Sequence, residues 1–156
     1  MVESGDRMEA KSSIRINGSK EAIWAVICDI ENSDKHISGI NKVEVLNKPA
    51  EGIIGLKWRE TRTMFGKEAT EDMWITEAEA NKYYRTRAES HGAIYISTLT
   101  IEEEGDACTL SMGFEGQAVS FGAKIGNFLM GKMMMKSTEK ALLVDLEDIK
   151  KHVESK

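Results

Sequence analysis

The longest regular pattern of apolar residues runs through the last quarter of the chain, from Phe121 to about Val153. Members of one line in this segment are three or four residues apart throughout, which is the spacing of one face of an α-helix. This line consists of Phe128, Gly131, Met135, Thr138, Leu142, Leu146, Ile149 and Val153. We predict one long C-terminal helix, with an ordinary core face in its later half and a looser, more adaptable surface nearer its start.

The chain before this helix has mainly the pattern of β-strands. Alternating apolar residues predict a first strand over Glu9–Asn17, and Gly18-Ser19 then ends the strand and caps a short amphipathic helix that reaches Ile30. A second short helix is predicted over Asn32–Ile40. From residue 41 to about residue 119 the period is that of strands throughout.

Four short turns divide the region after Gly52 into five strands, and two-residue turns would fix which residues face each other. The predicted turns are Gly66-Lys67, Asn81-Lys82, His91-Gly92 and Gly105-Asp106. The predicted pairs are Arg62 with Glu71, Glu60 with Met73, Trp58 with Ile75, Ile75 with Ala88, Met73 with Ser90, Ala88 with Tyr95, Tyr84 with Leu99, Leu99 with Met112, Ile101 with Leu110, and Ser97 with Phe114.

This register separates the strands into one apolar face and one polar face. The apolar face collects Leu56, Trp58, Met64, Met73, Ile75, Tyr84, Tyr95, Leu99, Ile101, Leu110, Met112 and Phe114. The polar face collects Lys57, Arg59, Thr61, Thr63, Thr70, Asp72, Thr76, Arg85, Arg87, Thr98, Thr100, Thr109 and Ser111. A slip of one residue at any turn would exchange the faces, so their separation indicates an antiparallel meander.

The predicted order is one strand, two short helices, six strands and one long helix. We therefore expect an α+β fold with a seven-stranded antiparallel sheet that is solvated on one side. Such a sheet must cover its apolar side, and the helices are the segments available for this.

The composition of the chain argues against several classes of protein. The chain has 156 residues, 21 basic and 26 acidic, for a net charge of −5, and its cysteines are Cys28 and Cys108. The mild acidity argues against a nucleic-acid partner, and two cysteines argue against a disulfide framework. Met1–Ala10 lacks the apolar run of a signal peptide, and no segment approaches the roughly 20 apolar residues of a membrane span. We expect a soluble cytoplasmic monomer.

Four local segments resemble the START-like (SRPBCC) superfamily, which includes the polyketide cyclase/dehydrase and lipid-transport group. They are Ala22-Ile23-Trp24-Ala25-Val26, Cys28-Asp29-Ile30-Glu31, Gly55-Leu56-Lys57-Trp58-Arg59-Glu60-Thr61 and Gly105-Asp106-Ala107-Cys108-Thr109-Leu110. The resemblance covers residues 9–153 as one domain, with flexible termini at 1–8 and 154–156. It implies a helix-grip fold: a curved sheet closed by the long helix, with a cavity for a hydrophobic small molecule or lipid between them. The proline common before the first helix in this superfamily is absent here, where Gly18-Ser19-Lys20 stands instead.

Three charged residues interrupt the predicted apolar face: Glu60, Arg62 and Glu71. A buried charge costs roughly several kcal/mol unless it is paired, and the predicted register pairs Arg62 with Glu71. One interpretation is a polar anchor for a ligand carboxylate, hydroxyl or carbonyl at one end of the cavity. The structural alternative is an ion pair that is half solvated at the open end of the sheet.

Small and hydroxylated residues in the middle of the same face leave room for a ligand. They are Tyr84, Thr86, Ala88, Ser90, Ala93, Tyr95 and Ser97. The full set of predicted ligand-binding residues is Trp58, Glu60, Arg62, Glu71, Met73, Tyr84, Tyr95, Ser97, Met112, Phe114, Phe128, Gly131 and Met135. Tyr95 and Glu60 are also the catalytic candidates, with Tyr95 as a proton donor in an aldol-type cyclase. The structural alternative is a tyrosine hydroxyl bonded to a neighbour.

The remaining signals for chemistry are weak. His36, His91 and His152 lack metal-ligand spacing, and no phosphate loop or dinucleotide fingerprint occurs, so we expect neither a metal nor a cofactor. Leu129, Met130 and Met133, beside Lys136 and Lys140, form a patch on the helix side opposite the core line. This patch could contact a membrane or a protein transiently, or it could be covered by the preceding loop or the short helices.

Three functions follow from these observations. The first is binding or transport of a hydrophobic small molecule or lipid, which requires no catalytic residue. The second is a polyketide cyclase/dehydratase-type enzyme that uses Tyr95 and the Glu60/Arg62/Glu71 cluster. The third is a protein-interaction module of the same fold that uses the patch on the long helix.

Overall fold

The computed structural model describes residues 7–64, 66–90, 92–118 and 121–155, with the backbone alone described at residues 7–8, 64, 118 and 121–135. Its elements follow the predicted order. They are β1 (Arg7–Ile16), α1 (Lys20–Cys28), a 3₁₀ helix (Ile30–Lys35), β2 (Ile40–Asn47), β3 (Lys57–Met64), β4 (Lys67–Glu79), β5 (Tyr83–Ser90), β6 (Ala93–Glu104), β7 (Ala107–Ala118) and α2 (Phe121–Glu154).

The strands form one antiparallel sheet in the order β1-β7-β6-β5-β4-β3-β2. This confirms the seven-stranded α+β architecture and the long C-terminal helix. The apolar line of the helix is also confirmed over its described later half, because every member there is at most 8% exposed. These members are Thr138, Leu142, Leu146, Ile149 and Val153. Within the described part of the chain, no helix is both long and apolar enough to cross a membrane.

The second short helix was predicted wrongly as Asn32–Ile40. A 3₁₀ helix occupies Ile30–Lys35 instead, and Ile40 already begins β2. Short polar side chains compete with the helical hydrogen bonds here. Ser33 donates its hydroxyl to the Ile30 carbonyl at 2.7 Å, and Asn32 donates to the Asp29 carboxylate at 3.0 Å.

Two of the four predicted registers are confirmed and two are wrong. The β5–β6 and β6–β7 pairs are as predicted, from Tyr84 with Leu99 to Ser97 with Phe114. The β3–β4 and β4–β5 pairs are displaced by two residues. Arg62 faces Ala69, Glu60 faces Glu71, Trp58 faces Met73, Met73 faces Ala88, and Ile75 faces Thr86.

Local geometry explains both displacements. Met64 pairs with Lys67, so the β3–β4 connection comes one position earlier than predicted. The register between β4 and β5 also shifts between Ile75 and Glu77, and Asn81 adopts φ 63° in a three-residue connection. The β3–β4 pairs and the β4–β5 pairs at Met73 and Ile75 are displaced by an even number of residues, which leaves those side chains on their predicted face, so the division into two faces survives there.

The concave face of the sheet is densely packed at one end, which we call the packed end. Side chains from α1, the 3₁₀ helix and the later half of α2 pack there against buried residues of all seven strands. The most buried of these side chains are Ile16, Ile23, Ile75, Leu110 and Leu146. At the edge, Gly18 approaches the end of α2 so closely that a Cβ would lie 2.9 Å from Val153 Cγ1.

Candidate functional site

The opposite end of the concave face, which we call the distal end, has a different surface. It is formed by Glu71, Met73, Ala88, Tyr95, Ser97, Phe114 and Gly116. Ala88 is buried, whereas Met73, Tyr95, Ser97 and Phe114 are only partly buried. Because β7 ends at Ala118 and α2 begins at Phe121, the first half of α2 starts at this end of the sheet.

Two hydrogen bonds between α2 and β1 show where the helix passes from the distal end to the packed end. Ser12 of β1 donates its hydroxyl to the Glu139 carbonyl at 2.8 Å, and Lys150 donates to the Arg15 carbonyl at 2.7 Å. The later half of α2 is thus attached to β1 and the packed end. The helix before Glu139 is roughly 27 Å long, at 1.5 Å per residue, and begins at the distal end.

Tyr95 lies on the distal end and stacks on Phe114, with ring centroids 5.6 Å apart and planes at 21°. Partial burial raises the pKa of the Tyr95 hydroxyl, and the negative charge of Glu71 raises it further. The phenol therefore remains protonated at neutral pH. It has no hydrogen-bonding partner among the described side chains and backbone, so it can still donate to a ligand.

The predicted ion cluster exists, but Arg62 has different partners. Its Nε donates to Glu60 Oε2 at 3.0 Å, and its Nη1 donates to Asp145 Oδ2 at 3.0 Å. The prediction that Arg62 pairs with Glu71 was wrong, because the displaced register sets Glu71 opposite Glu60. The pairing thus extends from β3 to α2.

Sequence reasoning missed Asp145, although a signal for it was present. Asp145 lies three residues after Leu142 and directly before Leu146, beside the apolar line of α2. An acidic residue at a helical position that faces a sheet needs a partner, and Arg62 was available on that sheet. The side chains of Arg62 and Asp145 are 20% and 8% exposed.

The electrostatics of the cluster reflect this burial. Burial alone would lower the pKa of Arg62, but Asp145 and Glu60 raise it, so the guanidinium is always charged. Burial raises the pKa of the Asp145 carboxyl, and the charge and hydrogen bond of Arg62 only partly oppose this. Glu60 is further held by Trp58, whose indole Nε1 donates to Glu60 Oε1 at 3.3 Å.

Three predicted ligand-binding residues lie in or against the packed core. Tyr84 is 4% exposed and donates its hydroxyl to the Ile27 carbonyl at 2.9 Å, so this hydroxyl anchors α1. Trp58 is 3% exposed, and Met112 packs against the core from its edge. Burial also raises the pKa of the nearby Cys28 thiol to about 12, which keeps it protonated and unreactive.

Several predictions lie outside the described residues or side chains. Phe128, Gly131 and Met135, predicted to bind ligand, fall there, as do the patch residues Leu129, Met130 and Met133, and the turn residue His91. His36 and His152 stack with ring centroids 4.5 Å apart. No group of three His, Cys, Asp or Glu suited to a metal ion occurs in the described part of the chain.

The convex face carries two open depressions. One of about 500 Å³ lies over Gly113 and is bordered by Lys11, Arg85 and Thr98. The other, of about 330 Å³, lies beside Trp74, whose ring is 5.7 Å from Lys57 Nζ. Both depressions are open to solvent, so neither resembles the enclosed cavity of a small-molecule site.

Residues 7–154 match the sequence profile of a family described as "Polyketide cyclase / dehydrase and lipid transport". No curated protein matches the sequence.

Solved structures share the architecture. A START superfamily protein from Mycobacterium smegmatis is 14% identical with a TM-score of 0.79, over 95% of this chain and 98% of that one. The Zhui aromatase/cyclase from Streptomyces sp. R1128 is 13% identical with a TM-score of 0.78, over 95% and 94%. A protein from Thermus thermophilus is 16% identical with a TM-score of 0.78, over 94% and 97%. The shared architecture is the helix-grip fold.

Proposed function

Because this chain belongs to the polyketide cyclase / dehydrase and lipid transport family of the START/SRPBCC superfamily, we propose that it binds a hydrophobic small molecule or lipid. The proposed site lies between the distal end of the sheet and the first half of α2. Its described lining is Glu71, Met73, Ala88, Tyr95, Ser97 and Phe114.

The observation that carries this proposal is the packing gradient along the concave face. At the packed end, large side chains such as Leu99, Ile101 and Leu110 are at most 7% exposed. In the next two rows of the concave face, toward the distal end, the small residues Ser97, Ala88 and Gly116 lie beside the rings of Tyr95 and Phe114, which are only partly buried. Small residues on a concave surface beside partly buried aromatic rings suit an apolar ligand.

A pair of neighbouring substitutions tests the site. Ala88 faces the distal end, whereas Glu89, one residue along the same strand, faces the opposite side of the sheet. N-phenyl-1-naphthylamine, a neutral apolar fluorophore, serves as the probe. We expect Ala88→Phe to weaken its binding at least tenfold and Glu89→Phe to leave it unchanged, with circular dichroism confirming that both variants fold.

The outcomes separate clearly. Loss of probe binding in Ala88→Phe alone supports the distal end as the site. Equal binding in both variants, or no probe binding by the wild-type protein, contradicts the proposal.

A cyclase/dehydratase-type enzyme is the second candidate, and the Tyr95 geometry favours it. The hydroxyl is protonated at neutral pH, points to the distal end and lies within electrostatic range of Glu71. A phenol of this kind is suited to act as a general acid toward a ligand carbonyl. If the protein is such an enzyme, Tyr95→Phe will abolish turnover of an aromatic polyketide substrate while it preserves probe affinity. If Tyr95→Phe leaves turnover intact, Tyr95 is not the proton donor.

A further inference from the structure

Glu71 is a carboxylate on the concave face that has no partner among the described residues. It is partly buried, faces Glu60 across the strand pair, and makes no hydrogen bond or ion pair with any other described residue. Glu60 offers no hydrogen-bond donor to Glu71, because both Glu60 oxygens act as acceptors, from Trp58 and Arg62. Glu71 therefore offers unused acceptor capacity to whatever occupies the distal end.

The cations whose side chains are described in this region are already engaged or distant. Arg62 is bonded to two carboxylates, those of Glu60 and Asp145. On β3, β4 and β5, the other described arginines point to the convex face, where Arg59, Arg85 and Arg87 pair with Asp72, Glu77 and Glu89.

Lys67 shares the face of Glu71 but lies at the exposed hairpin tip, four residues away. At about 3.3 Å per residue this is roughly 13 Å, beyond the Debye length of about 8 Å at physiological ionic strength. The described lining of the distal end thus carries an excess of negative charge.

The groups beside Glu71 suit a flat ligand with a hydrogen-bond donor. The Tyr95–Phe114 stack supplies an aromatic wall. Glu71 lies on the same face as Tyr95, two residues along β4 from Met73, and its negative charge acts on the Tyr95 hydroxyl.

We infer that Glu71 determines ligand specificity: the distal end selects an apolar, aromatic ligand that carries a hydroxyl or amine donor, and it rejects carboxylates such as fatty acids. This inference rests on the proposed ligand-binding function. A ligand carboxylate there would add a negative charge near Arg62, whose guanidinium is already neutralised by Glu60 and Asp145. A phenol or amine would instead donate a hydrogen bond to Glu71.

Displacement of N-phenyl-1-naphthylamine by 2-naphthol and by 2-naphthoic acid, at pH 7.5, tests the inference. The two competitors share one ring system and differ in the polar group. We expect 2-naphthol to bind the wild-type protein at least tenfold more tightly than the ionised acid. Because a hydrogen bond to a charged group is worth roughly a 10- to 100-fold change in affinity, Glu71→Gln should reduce this preference by about that factor.

Glu102→Gln is the matched control, because Glu102 is exposed on the convex face and the substitution removes the same charge. It should leave the preference unchanged. Equal affinity of both competitors for the wild-type protein, or an unchanged preference in Glu71→Gln, overturns the inference while probe binding keeps the proposed function intact. Failure of the probe itself to bind overturns both.

Discussion

Asp145 of α2 accepts a hydrogen bond from Arg62 of β3 at 3.0 Å, and this contact joins the long helix to the far side of the sheet from β1. A second contact one turn along α2 reinforces this attachment, since Asp148 accepts hydrogen bonds from the backbone N–H and the hydroxyl of Ser38. The later half of α2 is thereby attached to both edges of the sheet, while its first half begins at the distal end.

Removal of one partner of this pair should be costly. Asp145→Ala leaves Arg62 partly buried with one carboxylate, and we expect a loss of about 3 kcal/mol in the free energy of unfolding, measured in urea. The double variant Arg62→Met/Asp145→Leu should cost less than the sum of Arg62→Met and Asp145→Leu, because neither partner is left without the other. Glu60 loses its bond to Arg62 in Arg62→Met and in the double variant alike, so this loss does not alter the comparison. Additive losses, or a loss no greater than that of exposed Glu147→Gln, would contradict the role of the pair.

The pH dependence of this pair has a definite sign. Burial raises the pKa of the Asp145 carboxyl in the folded protein, so the folded state binds this proton more readily than the unfolded chain. Protonation of Asp145 therefore stabilises the folded state. This stabilisation is fully present below the pKa of the carboxyl in the unfolded chain, about 4, and is lost as the pH rises through its pKa in the folded protein. Relative to Asp145→Asn, the wild-type protein should gain stability between pH 7 and pH 4 in urea unfolding. A relative loss over that range would show that Arg62 outweighs burial.

Tyr84 and Tyr83 provide a matched pair of hydroxyl deletions. Tyr84→Phe removes the bond to the Ile27 carbonyl and leaves a buried acceptor unsatisfied, so we expect a loss of about 1–2 kcal/mol. Tyr83 bonds Glu77 on the exposed face, and Tyr83→Phe should cost less than about 0.5 kcal/mol. Thermal or urea unfolding measures both. A similar cost for the two variants would mean that the Tyr84 hydroxyl does not anchor α1.

Gly18 should be intolerant of a side chain. Gly18→Ala forces Val153 or the strand end to shift, and overpacking of this kind costs about 1–3 kcal/mol. Gly113→Ala is the control, because nothing lies within 4 Å of the added Cβ. Shortening the neighbour in Gly18→Ala/Val153→Ala should remove the clash. If the double variant is less stable than the sum of the single losses predicts, the close approach is not the cause.

The sequence predicted the fold well because its signals are local and repeated. The apolar line of α2 continues over many turns, and Gly105-Asp106 is a strong two-residue turn, with Gly105 at φ 63°. The β4–β5 connection lacks such a signal. Its register depends on an irregularity between Ile75 and Glu77, which no residue in the sequence marks.

The candidate site was only partly predictable. The face of each residue followed from its period, so Glu71, Tyr95 and Phe114 were correctly assigned to the same face of the sheet. The partner of Arg62 depends on how α2 crosses the sheet, and a pairing scheme confined to neighbouring strands could not supply Asp145. The hydrogen bond of Tyr84 to the Ile27 carbonyl could not be predicted from a strand pattern, because it joins elements 57 residues apart.

The central claim is that a hydrophobic ligand occupies the concave distal end, and Met73 and Trp74 report on this directly. These neighbours on β4 face opposite sides of the sheet, Met73 toward the distal end and Trp74 toward the depression beside Lys57. Titration with N-phenyl-1-naphthylamine, followed by NMR of the methionine methyl and tryptophan indole groups, distinguishes them. We predict a saturable shift of the Met73 methyl signal, absent in Ala88→Phe, with the Trp74 indole signal unmoved. Probe binding that shifts Trp74 and leaves Met73 unchanged would place the ligand on the convex face and contradict the claim.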